Sequence, residues 1–372
     1  MGKYFDKKEK IFYWVKSHPN LHYMIHVVRR FGNKRFYRLL FDEGYPGILT
    51  IDSYGNENKE KEIFLLDIKG NRIGLPCFIR YTVLALYEIE KLNFKPVIKF
   101  TDTAGWLQET DEVNGTNNIF EYYYSQPDSV SFEQVYKSYH VFSCNITSLL
   151  NRANKDLGFY EENGLLASYQ VSEEYLEIMG SIYKKYLYLN EQAETCMKEG
   201  IKQLFGNHDC DKVIGVHVRG TDFAAGFVNH PKIITMKQFE NAIQEGLKKG
   251  SFTKIFLATD DTSKLDYLRK KFPERILYYD NVLRSAGKKN ILSMDGNKEY
   301  SKYRKGLEVL RDVYTLASCG GLVAGLSHVS ILARIVKYSF DKKYSYQNIL
   351  SNGINRQGGG STPMQSRKRI RQ

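Results

Sequence analysis

The stretch Val213–Phe223, VIGVHVRGTDF, decides the fold. Its first six residues are mostly apolar and rich in valine and isoleucine, which predicts a buried strand of a parallel sheet. The strand then breaks into polar side chains. Ligands of open α/β sheets bind beyond the carboxyl ends of the strands. We therefore expect His217, Arg219, Thr221 and Asp222 to lie at the rim of a binding crevice.

Strands and helices alternate after this stretch. Apolar runs and helical periodicity predict a helix at 235–250, a strand at 254–261, a helix at 262–272, a strand at 275–280, a helix at 303–318, a strand at 321–325 and a helix at 326–338. This alternation is typical of a parallel, doubly wound sheet. Its carboxyl edge would also collect the polar residues Asp260, Asp261, Ser327, His328 and Ser330.

The N-terminal half contains one βαβ unit of the same kind. It consists of a strand at 62–68, the turn KGNRIG at 69–74, a helix at 75–92 and a strand at 95–100. The fold class is therefore α/β, with two Rossmann-like domains facing a cleft. The predicted divisions are an N-terminal domain at 1–171, connecting helices at 172–204, a C-terminal domain at 205–345 and a flexible basic tail at 346–372.

Composition and charge restrict the class of protein. The chain has 372 residues, a net charge of +12, no apolar run near the roughly 20 residues that span a bilayer, and no apolar leader. We expect a cytoplasmic protein. Residues 1–38 interleave lysine and arginine with aromatic residues, which suits contact with an anionic membrane surface or nucleic acid, or is simply a solvated charged face. The five cysteines lack CxxC spacing, so we expect neither a disulfide framework nor a metal site.

The polar clusters predict a diphosphate-binding site. Arginine grips phosphate oxygens through two N–H groups, and a helix N-terminus adds backbone donors and a favourable dipole. The residues that fit this chemistry are Arg219, Ser327 and Ser330, with Gly70, Arg72 and Gly74 of the N-terminal turn. Structural interpretations stay open for several candidates: an Arg219–Asp222 ion pair, helix N-caps at Asp260 and Asp261, a packing histidine at His328, and ligand-free turn residues at Gly70 and Gly74.

Four segments resemble the GDP-fucose fucosyltransferase superfamily, which includes α1,2-, α1,6- and protein O-fucosyltransferases. GVHVRGTDF is similar to the His-Val-Arg-Arg-x-Asp motif of that group, and IFLATDDTSKLDYLRKKFP to an Ala-Thr-Asp-Asp-Pro segment. GLEVLRDVYTLASCGGLVAGLSHVS resembles an Asp-containing helix, strand and Ser-rich turn, and KGNRIGLPCFIRYTVLALYEI an N-terminal Gly-rich loop and helix. The resemblance covers roughly 62–100 and 213–338 and implies a two-domain, GT-B-like glycosyltransferase.

The resemblance implies a role for each matching residue. Arg219 would hold the β-phosphate of GDP and stabilise the leaving group, while His217 and Asp312 would lie beside guanine. Ser327 and its neighbours, with Gly70 and Gly74, would bind the pyrophosphate. Such enzymes invert the anomeric carbon and use no metal or other cofactor, because arginine and helix dipoles stabilise the charge.

Two departures from the motif leave the catalytic base open. Gly220 stands where the family has a second arginine, and Phe223 and Phe227 stand where the α1,6 enzymes have a lysine and a glutamate. An inverting displacement requires a carboxylate or an imidazole near the acceptor oxygen. Our candidates, in order, are Asp222, His230 and Asp102.

The resulting hypothesis is a bacterial enzyme that transfers fucose from GDP-fucose to a hydroxyl of a glycan acceptor. The acceptor would be a lipid-linked precursor of a surface polysaccharide at the inner face of the membrane. Two alternatives are a catalytically degenerate GDP-sugar or glycan-binding protein of the same fold, and a basic nucleic-acid-binding protein. No segment resembles a known nucleic-acid-binding module, so we expect no nucleic-acid partner.

Overall fold

The computed structural model describes residues 50–158, 169–220, 230–285 and 301–355, together with the isolated His18 and Met24. Thr221, Asp222, Phe223 and Phe227 lie outside the described residues. So do most of the basic, aromatic segment 1–38 and all of 356–372. The predictions made for these residues therefore stay predictions.

The described chain alternates strands and helices in both halves. The strands are β1 (Thr50–Asp52), β2 (Ile63–Gly70), β3 (Lys95–Asp102), β4 (Tyr124–Ser125), β5 (Val141–Ser143), β6 (Tyr188–Leu189), β7 (Val213–Val218), β8 (Lys254–Thr259), β9 (Ile276–Leu277), β10 (Gly321–Gly325) and β11 (Tyr346–Leu350). The helices are α1 (Leu75–Lys91), α2 (Phe132–Val135), α3 (Ile146–Asp156), α4 (Glu173–Tyr186), α5 (Glu191–Phe205), α6 (Met236–Lys249), α7 (Thr262–Lys271), α8 (Lys302–Ser318) and α9 (His328–Ser339).

The C-terminal sheet has the strand order β11-β10-β7-β8-β9, and every pairing in it is parallel. All residues of the central strand β7 are buried, as its apolar sequence predicts. The predicted α/β class is confirmed by this sheet. One prediction was wrong: residues 346–350, assigned to a flexible tail, form the edge strand β11. The segment is polar enough to look like a linker, but parallel pairing with β10 satisfies its backbone.

The N-terminal sheet has the order β1-β5-β2-β3 and is parallel except for the antiparallel pair of β1 and β5. The predicted βαβ unit is present as β2, α1 and β3. The sequence analysis missed β1 and β5, which have three residues each. At the other edge, amide side chains take the place of a further strand, because Asn118 and Gln126 hydrogen-bond to the backbone of Ile98 and Phe100.

Helices α1, α4 and α9 join the two halves. All three contact one another, and their buried side chains belong to one apolar cluster that also includes residues of both sheets. Gly180 permits the close approach of α4 to α9, since a Cβ atom there would lie 2.6 Å from the Cβ of Tyr338. The carboxyl ends of β2 and β7 therefore open toward a common cleft above a shared core. Among the described helices, none is both long and apolar enough to cross a membrane.

Candidate functional site

A cleft of about 250 Å³ lies between the two halves and contains most of the predicted site residues that the structure describes. This volume is near the lower end for small-molecule sites. The predicted residues that line the cleft are Arg72, Gly74, His217, Arg219, His230, Asp260, Asp312, Ser327 and His328. Both halves of the chain therefore contribute to one site.

Arg219 follows the last residue of β7 and lies beside the carboxylate of Asp260. Its Nη1 is 2.9 Å from Oδ2 of Asp260, and 27% of the side chain is exposed. The other carboxylate oxygen, Oδ1, accepts a hydrogen bond of 2.9 Å from the N–H of Gly220. A guanidinium has five N–H donors, so a pair with one carboxylate is compatible with binding a second anion. Arg219 is thus held at the cleft surface by Asp260.

His217 lies inside β7 and is neutral at physiological pH. In the sheet it stands between Ala324 and Ala258, and its Nδ1 is 3.3 Å from the Oγ of Ser327. Burial and the charge of Arg219 lower the pKa of its imidazole to about 3. His217 therefore acts as a hydrogen-bonding group beside Arg219 and adds no positive charge to the cleft.

The N-terminal turn of α9 is largely satisfied by its own side chains. Ser327 accepts from the N–H of Ser330 at 3.0 Å, and the Ser330 hydroxyl donates to the carbonyl of Gly325 at 2.8 Å. Ser330 is buried and does not line the cleft, whereas Ser327 does. Ser330 therefore stabilises the turn, and its predicted contact with a ligand stays a prediction.

His328 lines the cleft and also packs against aromatic rings. Its ring centroid lies 5.3 Å from that of Tyr169 and 6.1 Å from that of Tyr81, and its Nδ1 is 3.4 Å from Nη1 of Arg80. Burial, with the charge of Arg80, lowers the pKa of His328 to about 3. These contacts agree with the packing interpretation, so we do not assign it an acid or base role.

Helix α1 presents an N-terminus of a different kind. Gly74 occupies its N-cap position without a side-chain hydrogen bond, and Pro76 lies in the first turn. Each of the other described α-helices has a side chain that accepts a hydrogen bond from its first turn. Gly74 and Cys77 both line the cleft. Pro76 has no N–H and the N–H of Cys77 already donates to the carbonyl of Gly74 at 3.0 Å, so this helix end favours an anion mainly through its dipole.

Gly70 and Asp261 serve the structure around the cleft and do not line it. Gly70 ends β2, where a Cβ atom would lie 2.5 Å from the ring of Phe78. Asp261 is the N-cap of α7, with Oδ1 accepting from the N–H and the hydroxyl of Ser263 at 2.9 and 2.6 Å. The N-cap interpretation therefore describes Asp261, whereas Asp260 pairs with Arg219.

Asp312 lies on the face of α8 that borders the cleft. Burial is the main cause that raises the pKa of its carboxyl to about 7, with Glu308 and Asp260 acting in the same direction and Arg311 and Arg284 against it. The sequence analysis missed Lys305 and Glu308, which line the cleft on the same helix. The sequence does indicate that Lys305 and Glu308 lie near Asp312, because residues 305, 308 and 312 have the spacing of one helix face.

The base candidates differ in their surroundings. The carboxylate of Asp102 accepts from the N–H groups of Ala104 and Leu107 at 3.0 and 2.7 Å, which stabilises the turn after β3. His230 lines the cleft, and its carbonyl accepts from the N–H of Asn355 at 2.9 Å. Since Asp222 lies outside the described residues, His230 is the candidate that the structure brings to the site.

Part of the cleft lining is apolar and was not predicted. Trp106 and Leu107 contribute to it from the N-terminal half, and Val282 and Leu283 from the C-terminal half. Within the described ranges, no group of His, Cys, Asp or Glu residues is placed to hold a metal ion. The expectation that the site needs no metal stays a prediction.

Comparisons with known proteins give similar structures but no family. No protein-family model matches the chain, and no curated protein matches it. Among solved structures, the chain is similar to POFUT1 in complex with GDP-fucose, at 10% identity and a TM-score of 0.40 over 80% of this chain and 99% of that one. It is also similar to a mutant of Arabidopsis thaliana FUT1 in complex with GDP, at 9% identity and a TM-score of 0.38 over 91% and 79% of the chains.

Proposed function

We propose that this chain transfers fucose from GDP-fucose to a hydroxyl group of a glycan acceptor, with inversion at the anomeric carbon. The observation that carries this proposal is the position of Arg219, a partly exposed guanidinium at the carboxyl end of the central strand β7, in a cleft shared by two sheets. The resemblance of the motif around Arg219 to that of GDP-fucose fucosyltransferases supports GDP-fucose as the donor, since a diphosphate site alone does not select fucose.

The leaving group explains why a cation is needed at this position. As the bond between sugar and nucleotide breaks, negative charge develops on the β-phosphate. Arg219 would donate hydrogen bonds to that phosphate, and the N-terminal end of α1 at Gly74 would add a favourable helix dipole. Because the ion pair with Asp260 fixes the guanidinium before the donor arrives, little reorganisation is required during the reaction.

The nucleotide base would be recognised from α8. Guanine presents adjacent N–H donors, and an ionised carboxylate accepts from both. Two carboxylates of α8 line the cleft, Asp312 and Glu308. Glu308 already accepts a hydrogen bond of 3.1 Å from Nε of Arg304, so Asp312 is the better candidate for guanine. We assign guanine recognition to Asp312 and the second contact to the neutral imidazole of His217.

The acceptor would bind the apolar part of the cleft lining. Trp106 and Leu107 offer an apolar surface for the face of a sugar ring, and His230 also lines the cleft. We propose His230 or Asp222 as the base that removes the proton from the acceptor hydroxyl. A lipid-linked glycan at the inner face of a membrane remains the expected acceptor class.

Calorimetry with GDP, UDP and dTDP, followed by a transfer assay with GDP-fucose, tests the proposal. We expect GDP to bind at least tenfold more tightly than the other two nucleotides, because only guanine matches Asp312. Fucose should then appear on a glycan acceptor or, without one, slowly on water. Binding of GDP without release of fucose would indicate a degenerate binding protein, and absence of GDP binding would contradict the proposed donor.

A further inference from the structure

The structure explains why a glycine, Gly220, stands where the motif has its second arginine. A Cβ atom at this position would lie 2.6 Å from the Cβ of Asp261 and 2.9 Å from the Nζ of Lys264. Distances this short to Asp261 cannot be relieved without moving the chain. The space in which a second arginine side chain would begin is therefore occupied by the first turn of α7.

Lys264 places a buried ammonium group directly behind Arg219. Only 11% of its side chain is exposed, although lysine is among the residues least often buried. Its Nζ donates to the main-chain carbonyl of Arg219 at 3.3 Å and lies 3.5 Å from Oδ2 of Asp261. The buried charge is thus compensated by an acceptor and a counterion, as burial requires.

Asp260 contacts both Arg219 and Gly220. Its Oδ2 pairs with the guanidinium of Arg219 and its Oδ1 accepts from the N–H of Gly220. Together with Lys264, it fixes three groups: the side chain of Arg219, the carbonyl of Arg219 and the N–H of Gly220. All three contacts come from the segment 260–264, which connects β8 to α7.

We infer that Lys264 and Asp260 are positioning residues that hold Arg219 in its reactive orientation. We also infer that the ammonium group of Lys264 occupies the space where the motif has the side chain of a second arginine, the residue replaced by Gly220. This inference rests on the proposed function, in which Arg219 contacts the phosphate. Neither Lys264 nor Asp261 lines the cleft, so Lys264 acts through Arg219 and does not touch the donor. A displacement of about 1 Å of a group that contacts the transition state lowers the rate by up to about 100-fold.

Kinetics of Lys264→Met test the inference, with Lys270→Met as the matched control. Lys270 is an exposed lysine on the same helix, so its substitution removes the same charge without touching Arg219. We expect Lys264→Met to lower kcat for fucose transfer or donor hydrolysis about 10- to 100-fold, with KM for GDP-fucose changing less. Lys264→Arg, which keeps a donor for the carbonyl, should regain part of the rate. Lys270→Met should leave kcat unchanged.

A double-mutant cycle separates positioning from a general structural effect. If Lys264 acts only through Arg219, Lys264→Met should have no further effect on GDP affinity or turnover once Arg219→Ala is present. Full additivity of the two substitutions would overturn the inference. So would a Lys264→Met protein with wild-type kcat.

Asp260→Asn provides a second route if Lys264→Met does not fold. The amide oxygen keeps the acceptor for Gly220, while the charge that pairs with Arg219 is lost. We expect a lower kcat that is again masked by Arg219→Ala, and an unchanged kcat would contradict the inference. If the wild-type chain does not bind GDP, the proposed function fails and the inference with it. If GDP binding depends on Arg219 but neither variant changes kcat, only the inference fails.

Discussion

At the scale of single residues, the carboxyl group of Asp312 ionises near physiological pH. Its pKa is raised to about 7, mainly by burial, although Arg311 and Arg284 act against the shift. An ionised carboxylate accepts from the guanine N–H groups, whereas the protonated form loses part of that capacity. In the proposed function, the protonation state of Asp312 would therefore link nucleotide binding to pH.

GDP affinity should rise with pH between about 6 and 8 and level off above that range. Because the folded pKa is raised, the ionised form predominates only above about 7, and about one molecule in ten carries it at pH 6. We expect the Kd for GDP, measured by calorimetry, to be up to about tenfold higher at pH 6 than at pH 8. The variant Asp312→Asn should bind more weakly and show a flat profile. An unchanged pH profile in that variant would exclude Asp312 as the responsible group.

Residue identity alone revealed part of this site. Arg219, His217 and Ser327 were predicted because each follows or borders a strand end, whereas Asp312 was predicted only from the resemblance to the fucosyltransferase superfamily. Lys264 was not predicted, because lysines in TSKLDYLRKK look alike in sequence. Only the fold shows that Lys264 is buried whereas Lys270 and Lys271 are exposed. The pairing of Arg219 with Asp260 likewise depends on the parallel register of β7 and β8.

At the scale of elements, the two helix N-termini at the cleft differ in what they offer to a ligand. Helix α9 begins with Ser327 and Ser330, which form a reciprocal capping box. Helix α1 begins with Gly74 and has no side-chain cap. In α1, Pro76 has no N–H and the N–H of Cys77 donates to the carbonyl of Gly74, so this end offers an anion mainly the helix dipole.

The substitution Gly74→Ser should weaken nucleotide binding with little change in stability. Gly74 has φ −84° and ψ 162°, which any L-residue adopts. A serine hydroxyl gains little as a cap here, because Pro76 has no N–H and the N–H of Cys77 already donates to the carbonyl of Gly74 at 3.0 Å. We expect the free energy of unfolding to stay within about 0.5 kcal/mol of the wild-type value, measured by urea denaturation. GDP affinity should fall severalfold, because the substitution adds a side chain at a residue that lines the cleft. An unchanged GDP affinity would contradict this role of α1.

Buried parallel strands were predicted from the sequence more accurately than short or partly buried strands. The strand at 213–218 and the strand at 321–325 were predicted with the bounds of β7 and β10, because buried parallel strands read as continuous apolar runs. Strands β1, β5 and β11 were missed or misassigned. Each is short or only partly buried, and its stability depends on pairing with a neighbour that the sequence does not identify.

At the scale of the whole molecule, the cleft exists because the two sheets share one core. Helices α1, α4 and α9 pack together beneath it, so residues from both halves are held in a fixed relation. The two-domain division was predicted from alternating strands and helices. The shared core was not, since amphipathic periodicity shows which face of a helix is buried but not its partner. In the proposed function, the C-terminal half would hold the nucleotide, and the N-terminal half would contribute the N-terminal end of α1.

Turnover of Arg219→Ala tests the central claim most directly, with Arg275→Ala as its control. Arg275 is an exposed arginine beside β9, where the chain enters the strand at the end of the sheet away from the cleft. If Arg219 stabilises the charge on the departing nucleotide, kcat for fucose transfer should fall about 10²- to 10³-fold in Arg219→Ala and stay at the wild-type value in Arg275→Ala. A folded Arg219→Ala protein that transfers fucose at the wild-type rate would contradict the account.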